Sequence, residues 1–168
     1  FKGKKFRIQS SNVHQAMIKA LGGIPQKLPF KEVYTSLSQG VVDGQENAWS
    51  NIYSKKFFEV QDWISVSNHS YLGYLVVVSG NFWKQLPADI RNELSMIMKE
   101  ATRKNRQWAK EFDTGDRQKI EQAGKAKVIE LTDTERNAWR EATAEVTQQF
   151  ARQIGPQLIR DVHTLLGH

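Results

Sequence analysis

The period of apolar and polar positions changes several times along these 168 residues. Phe6 and Ile8 alternate with Arg7 and Gln9, a period of two that predicts a strand near residues 5–9. Ser10, Ser11 and Asn12 follow, all good helix N-caps, and Val13, Met17, Ile18 and Leu21 form a helical stripe closed by Gly22-Gly23. Residues 25–28 predict a short extended piece. Pro29-Phe30-Lys31-Glu32-Val33-Tyr34 opens a second helix that ends at Gly40, and Val41-Val42 predicts a further strand ended by the turn pair Asp43-Gly44. The order strand–helix–strand–helix–strand predicts an α/β fold with a parallel sheet.

The middle of the chain differs. Residues 62–68 and 71–79 are both rich in β-branched and aromatic side chains, a path suited to carrying the backbone between two lobes. From residue 87 to about 123, Ile90, Leu94, Ile97, Ala101, Trp108 and Phe112 recur at helical spacing. That length exceeds the usual globular helix, so a kink or break is expected near Gly115. Residues 126–131 predict a strand. Thr132 with Glu135 forms a capping box, ahead of a helix carrying Trp139, Ala142, Val146 and Phe150 on one side. Pro156 starts a last helix, with Leu158, Ile159, Val162 and Leu165 as its expected buried stripe. No internal repeat or low-complexity tract interrupts this order.

Composition narrows the function classes. Hydrophobic residues at 39% and charged residues at 25% fit a soluble globular protein. The longest apolar run, around residues 74–78, has the length of a buried strand and is too short to span a bilayer. No signal-peptide pattern is seen, and a start at Phe1 without methionine reads as the product of processing or design. With no cysteine, disulfides and thiolate metal sites are excluded. The net charge of +6 suits contact with nucleic acid, an anionic surface or acidic small molecules. Arg103-Lys104 and Lys125 with Lys127 are interrupted by acidic and apolar residues, and no dense basic block disposes the chain to nucleic acid.

Catalytic patterns are missing too. His14, His69, His163 and His168 have no metal-ligand spacing, and neither a G-x-S-x-G elbow nor a phosphate-cradling glycine loop occurs. His14, early in a helix, is expected to be exposed, and His69 reads as a structural hydrogen-bonder in the polar island Ser67-Asn68-His69-Ser70. The candidate chemistry is anion binding. Arg7 lies at the carboxyl end of a strand beside a helix start, where ligands of open α/β sheets sit. Its fork can grip a carboxylate through two parallel hydrogen bonds, and Asn47, in the polar run Asp43-Gly44-Gln45-Glu46-Asn47, can donate to the same group. The alternatives are plain: Arg7 faces water, as most arginines do, and 43–47 is a solvated turn. Phe30 suits either the core or an apolar floor that excludes water from an ion pair. Trp49 and Tyr53, four apart on a helix, read as packing residues.

Taken together, these segments resemble one family. They are Lys5-Phe6-Arg7-Ile8-Gln9-Ser10-Ser11, Leu21-Gly22-Gly23, Pro29-Phe30-Lys31-Glu32-Val33-Tyr34, Val42-Asp43-Gly44-Gln45-Glu46-Asn47, Glu59-Val60-Gln61, Asn68-His69-Ser70-Tyr71-Leu72-Gly73-Tyr74 and Phe82-Trp83-Lys84-Gln85-Leu86-Pro87. In order and spacing they are similar to the periplasmic solute-binding proteins of TRAP (tripartite ATP-independent periplasmic) transporters, DctP type, and most like the C4-dicarboxylate branch (succinate, malate, fumarate). The resemblance covers nearly the whole chain and the C-terminal half of the family. It implies a two-lobe periplasmic binding fold (type II-like) with a long helix linking the lobes. Residues 1–72 and 113–168 would form one lobe, and residues 73–112 would belong to the other.

The same resemblance implies roles. Arg7 grips the carboxylate, Asn47 supports it, Phe30 packs against it, and Ser11 lines the pocket. A proline is common in the family two residues after the arginine; Gln9 stands there, which suits the dicarboxylate branch better than sialic-acid-like substrates. A binding protein rather than an enzyme is implied, with no cofactor or metal, a periplasmic location and TRAP membrane permease subunits as partners. Sugar or keto acids are alternative ligands. A basic module for anions or nucleic acid, and a small α/β enzyme without a nameable nucleophile–base pair, are the competing classes. The apolar faces of residues 71–79 and of the helix after Pro87 are expected to lack cover. An oligomer, an exchanged segment or pairing with the other half of the family's chain would then follow.

Overall fold

The structure, a computed structural model, describes residues 1–166; His168 and the end of the 113–168 segment lie outside the described residues. Its contacts divide the chain into two units, Phe1–Glu46 with Lys56–Ser67 and Lys125–His168, and Asn47–Lys55 with Asn68–Gly124.

The first unit is α/β. Strand β1 (Lys5–Ile8) lies between β2 (Ile24–Lys27) and β3 (Gly44–Gln45), parallel to both. Pro25 is tolerated because β2 is an edge strand and a missing N–H there costs no ladder bond. Helix α1 (Asn12–Ala20) connects β1 to β2, and Ser11 caps it, its Oγ accepting the His14 N–H at 3.2 Å. Helix α2 (Val33–Ser38) connects β2 to β3. Ile8, Ile18, Val33, Val42 and Phe57 are buried between these layers. A second parallel pair joins β4 (Trp63–Val66) and β5 (Lys127–Glu130).

Strand β3 falls later than expected. Val41 and Val42 both donate backbone N–H groups to the Ser36 carbonyl, at 2.9 and 3.3 Å, so they still close α2. Pairing starts only where the Asp43 N–H reaches the Lys5 carbonyl at 2.8 Å. Gly44 is therefore a strand residue, not the second half of a turn. A Cβ there would lie 2.7 Å from Cε1 of Phe6, so the side chain next door dictates the glycine. The Asp43 carboxylate accepts the Lys5 N–H at 2.7 Å, and that bond, ahead of the Lys4 charge, holds its carboxyl below the usual range.

In the second unit, α3 (Trp49–Ser54) packs on α5 (Ala88–Ala123) and buries Ile52 and Ile120. Trp49 and Tyr53 are packing residues, as expected: Arg117 lies over the Trp49 ring at 5.3 Å and Lys119 over Tyr53 at 4.9 Å. Helix α4 (Gly80–Gln85) precedes α5. Helix α5 runs 36 residues without the break expected at Gly115. One glycine costs a helix about 1 kcal/mol, too little to interrupt it without a proline or an inserted group. Residues 71–79 form no strand, because no neighbouring strand among the described residues completes their backbone bonds. Leu75 is 90% exposed and Val77 84%.

The remaining helices return to the first unit. Helix α6 (Asp133–Ile154) has the expected Thr132–Glu135 capping box, and α7 (Pro156–Leu166) starts at the expected proline. The α7 stripe is not buried. Leu158, Val162 and Leu165 are exposed and only Ile159 is partly covered, since α7 packs on α6 over a short length.

Candidate functional site

Arg7 does not face water. It is 5% exposed, on the middle strand of the β2-β1-β3 sheet. Its neighbours in register are Gln26 on β2 and Gln45 on β3, so the row beside it is polar and uncharged. The Nε–H donates to the Leu28 carbonyl at 3.0 Å. That carbonyl stands where β2 gives way to Pro29, beyond the end of the strand. The guanidinium lies 5.7 Å from the centre of the Phe30 ring, and Phe30 in turn meets Phe57 edge-on at 5.8 Å. Among the described residues, Nη1 and Nη2 have no hydrogen-bond acceptor. A buried cation is thus fixed at its Nε edge, backed by an aromatic ring, with its two outer nitrogens left to bind something else.

Burial pushes the guanidinium below its ordinary pKa, and the negative charge of Glu46 opposes that shift. Glu46 is also 3.5 Å from Nδ1 of His14, with both side chains 17% exposed. His14 is therefore partly buried against a carboxylate rather than exposed on its helix.

The other expected residues are placed as follows. Phe30 meets Arg7 directly. Ser11 belongs to the same unit, but its Oγ is engaged as the cap of α1. Asn47, two positions after the register partner of Arg7, begins the second unit, where its Oδ1 accepts the Asn51 side-chain amide at 2.7 Å. Sequence reasoning missed the Leu28 carbonyl, Glu46 and His14. Glu46 stood inside the polar run already singled out, but no local pattern reveals that helix α1 brings a histidine against it. No group of three or more His, Asp or Glu side chains capable of holding a metal ion occurs among the described residues, and none of the described helices is long and apolar enough to cross a membrane.

Comparison with known proteins decides the family. Residues 1–153 match the model of DctP, bacterial extracellular solute-binding protein, family 7. The chain belongs to this family. The C4-dicarboxylate-binding periplasmic protein DctP of Shewanella loihica is 46% identical over 157 residues, which are 94% of this chain and 47% of that protein. The crystal structure of a TRAP periplasmic solute-binding protein from Shewanella oneidensis with bound succinate superposes with a TM-score of 0.90 at 42% identity, covering 95% of this chain and 52% of that one. A TRAP periplasmic solute-binding protein from Xanthobacter autotrophicus with bound β-D-galacturonate matches at a TM-score of 0.82 and 28% identity, covering 89% and 49%. This DctP-family chain spans about half the length of the relatives it matches, and its α/β fold is that of about half a TRAP solute-binding protein. The family consists of solute-binding proteins, which agrees with the expectation of a binding protein rather than an enzyme.

Proposed function

We propose that this chain serves periplasmic capture of a C4-dicarboxylate such as succinate, malate or fumarate, and its delivery to the membrane permease of a TRAP transporter. The observation that carries the proposal is Arg7: a buried guanidinium, held at Nε by Leu28 and backed by Phe30, whose Nη groups have no acceptor among the described residues. Such a fork matches the two oxygens of one carboxylate. The low dielectric around it strengthens the pairing. Asn47 adds a hydrogen bond to the same carboxylate, and Ser11 donates its hydroxyl proton while its oxygen caps α1. Residues 1–72 and 113–168 act as one lobe and residues 73–112 join the other, whose remaining part supplies the rest of the enclosure.

Calorimetric titration of the full-length protein, with both lobes, tests this. Saturable binding of succinate, malate or fumarate supports the proposal. A second reading, a sugar acid as ligand, is favoured by the galacturonate-bound neighbour. Binding of galacturonate with silence toward the C4-dicarboxylates would move the substrate and keep Arg7 as its carboxylate anchor. Silence toward all organic acids would refute both.

A further inference from the structure

We propose that one face of α5 is a docking surface for an anionic phospholipid membrane, formed by Lys99, Arg103, Arg106 and Lys110, a role beyond solute capture that does not depend on Arg7.

The spacing makes the face. These four residues follow one another at intervals of four, three and four positions. At 3.6 residues per turn that puts them within about 60° of arc on one side of the helix, and at 1.5 Å per residue the row is about 16 Å long. Helix α5 is continuous through it, so the row is carried by one rigid element. All four residues are exposed, and none of them makes an ion pair or hydrogen bond among the described residues.

Along the chain these cations are interrupted by acids, but the helix sorts the two apart. Glu93, Glu100 and Glu111 leave α5 about 100° away from the row. There Glu100 pairs with Lys104, the cation off the row, at 2.9 Å, and Glu111 accepts the Gln107 side-chain amide at 2.9 Å. Asp113, the next acid on the side of the row, accepts the Ser50 N–H at 3.4 Å. Like charges three and four positions apart destabilise a helix, so the row is a local cost that nothing within this unit offsets.

The apolar residues of the same stretch stand on the opposite side. Ile97, Trp108 and Phe112 are each more than half exposed and lie about 180° around the helix from the row. Cover from the remaining half of the family's chain gains burial on that apolar face, whereas covering the row would desolvate four unpaired cations. The basic face therefore stays open to solvent.

The chemistry of the face selects its partner. Within the arc of the row, no apolar side chain stands between Lys99 and Lys110. A protein interface packs around buried apolar and aromatic anchors, and this face offers none. A bilayer of anionic headgroups needs none, because its charge is spread over a plane and each nearby Lys or Arg strengthens partitioning about fivefold. With its apolar side turned away, the helix rests on the headgroups without inserting. Such contact would hold a periplasmic binding protein reversibly at the membrane in which a permease resides.

The test is flotation of the full-length protein with phosphatidylcholine vesicles, with and without roughly one-third phosphatidylglycerol, at about 0.05 and 0.5 M salt. The wild type should float with the phosphatidylglycerol vesicles at low salt, leave them at high salt and ignore pure phosphatidylcholine. Lys99→Gln with Lys110→Gln should weaken partitioning about 25-fold, or about fivefold for each charge. Arg103→Gln with Arg106→Gln should do the same, so that a folding defect in one pair, seen by circular dichroism, does not decide the outcome. Lys2→Gln with Lys125→Gln removes the same charge from exposed positions off the row and should have far less effect. No binding to phosphatidylglycerol vesicles overturns the inference. Equal losses from the row and off the row reduce the effect to net charge and overturn it too. Binding of polyglutamate through the row, without binding to vesicles, assigns the face to an acidic protein instead.

Discussion

Replacing Arg7 should cost binding far more than stability. The informative change is Arg7→Met, which keeps an apolar stem of similar length beneath Phe30 and removes the fork. Under the proposed carboxylate pairing, the substitution deletes one partner of a charge pair whose cation is only 5% exposed. Such deletions cost about 2–5 kcal/mol. That corresponds to a weakening of about 30-fold to several thousandfold in Kd. In the ligand-free protein the same change removes a buried cation whose Nη groups have no acceptor among the described residues. That relief works against the loss of the 3.0 Å Nε bond to Leu28. The two effects offset to within about 1 kcal/mol, the net worth of one hydrogen bond. Arg7→Lys keeps the charge but loses the planar fork and the Leu28 bond, and should fall between wild type and Arg7→Met. Calorimetric titration with succinate gives the affinities, and urea unfolding of the ligand-free proteins gives the stabilities. If Arg7→Met binds within twofold of wild type, Arg7 is no carboxylate anchor and the site lies elsewhere.

Phe30→Leu keeps apolar bulk beneath the guanidinium but removes the aromatic face 5.7 Å from it, and should weaken succinate binding about two- to fivefold in the same titration. Gly44→Ala places a Cβ 2.7 Å from the Phe6 ring, and should destabilise the protein by about 1–3 kcal/mol in urea unfolding; unchanged stability would show that β3 does not pair where described. Asp43 titrates below its unfolded value of about 4, so its contribution is present above that pH and is lost as pH falls through the lower folded value. Asp43→Asn should therefore flatten part of the acid limb of a stability–pH curve and leave the limb above about pH 5 unchanged. Residues 1–168 on their own should associate, because Tyr71, Leu75 and Val77 are each more than four-fifths exposed; a monomer at low micromolar concentration in light scattering would refute this.

Much of this protein was legible in its sequence because the deciding interactions are local. The Ser11 cap, the Thr132–Glu135 box, the start of α7 at Pro156 and the order of strands and helices that makes a parallel sheet all depend on residues a few positions apart. The family was legible for a related reason: its segments retain their order and spacing from residue 5 to residue 87. What the sequence left open concerns burial and partners distant in the chain. Alternation along β1 placed Arg7 and Gln9 on one polar face, yet Arg7 is buried and Gln9 is exposed, because only the former has Leu28 and Phe30 brought over it from 21 and 23 positions away. The Val41-Val42 pair looked like a strand by propensity, and its N–H groups instead close α2 on Ser36. Residues 71–79 have strand composition but no strand, since a ladder needs a neighbour and composition cannot supply one. His14 and Glu46 are 32 positions apart, and only the packing of α1 beside the sheet makes them a pair. The sequence alone determined the locally capped elements and the family; the tertiary structure decided which segments pair as strands, which charge is buried and what stands beside it, because strand pairing, desolvation and ion pairing depend on distance in space and not along the chain.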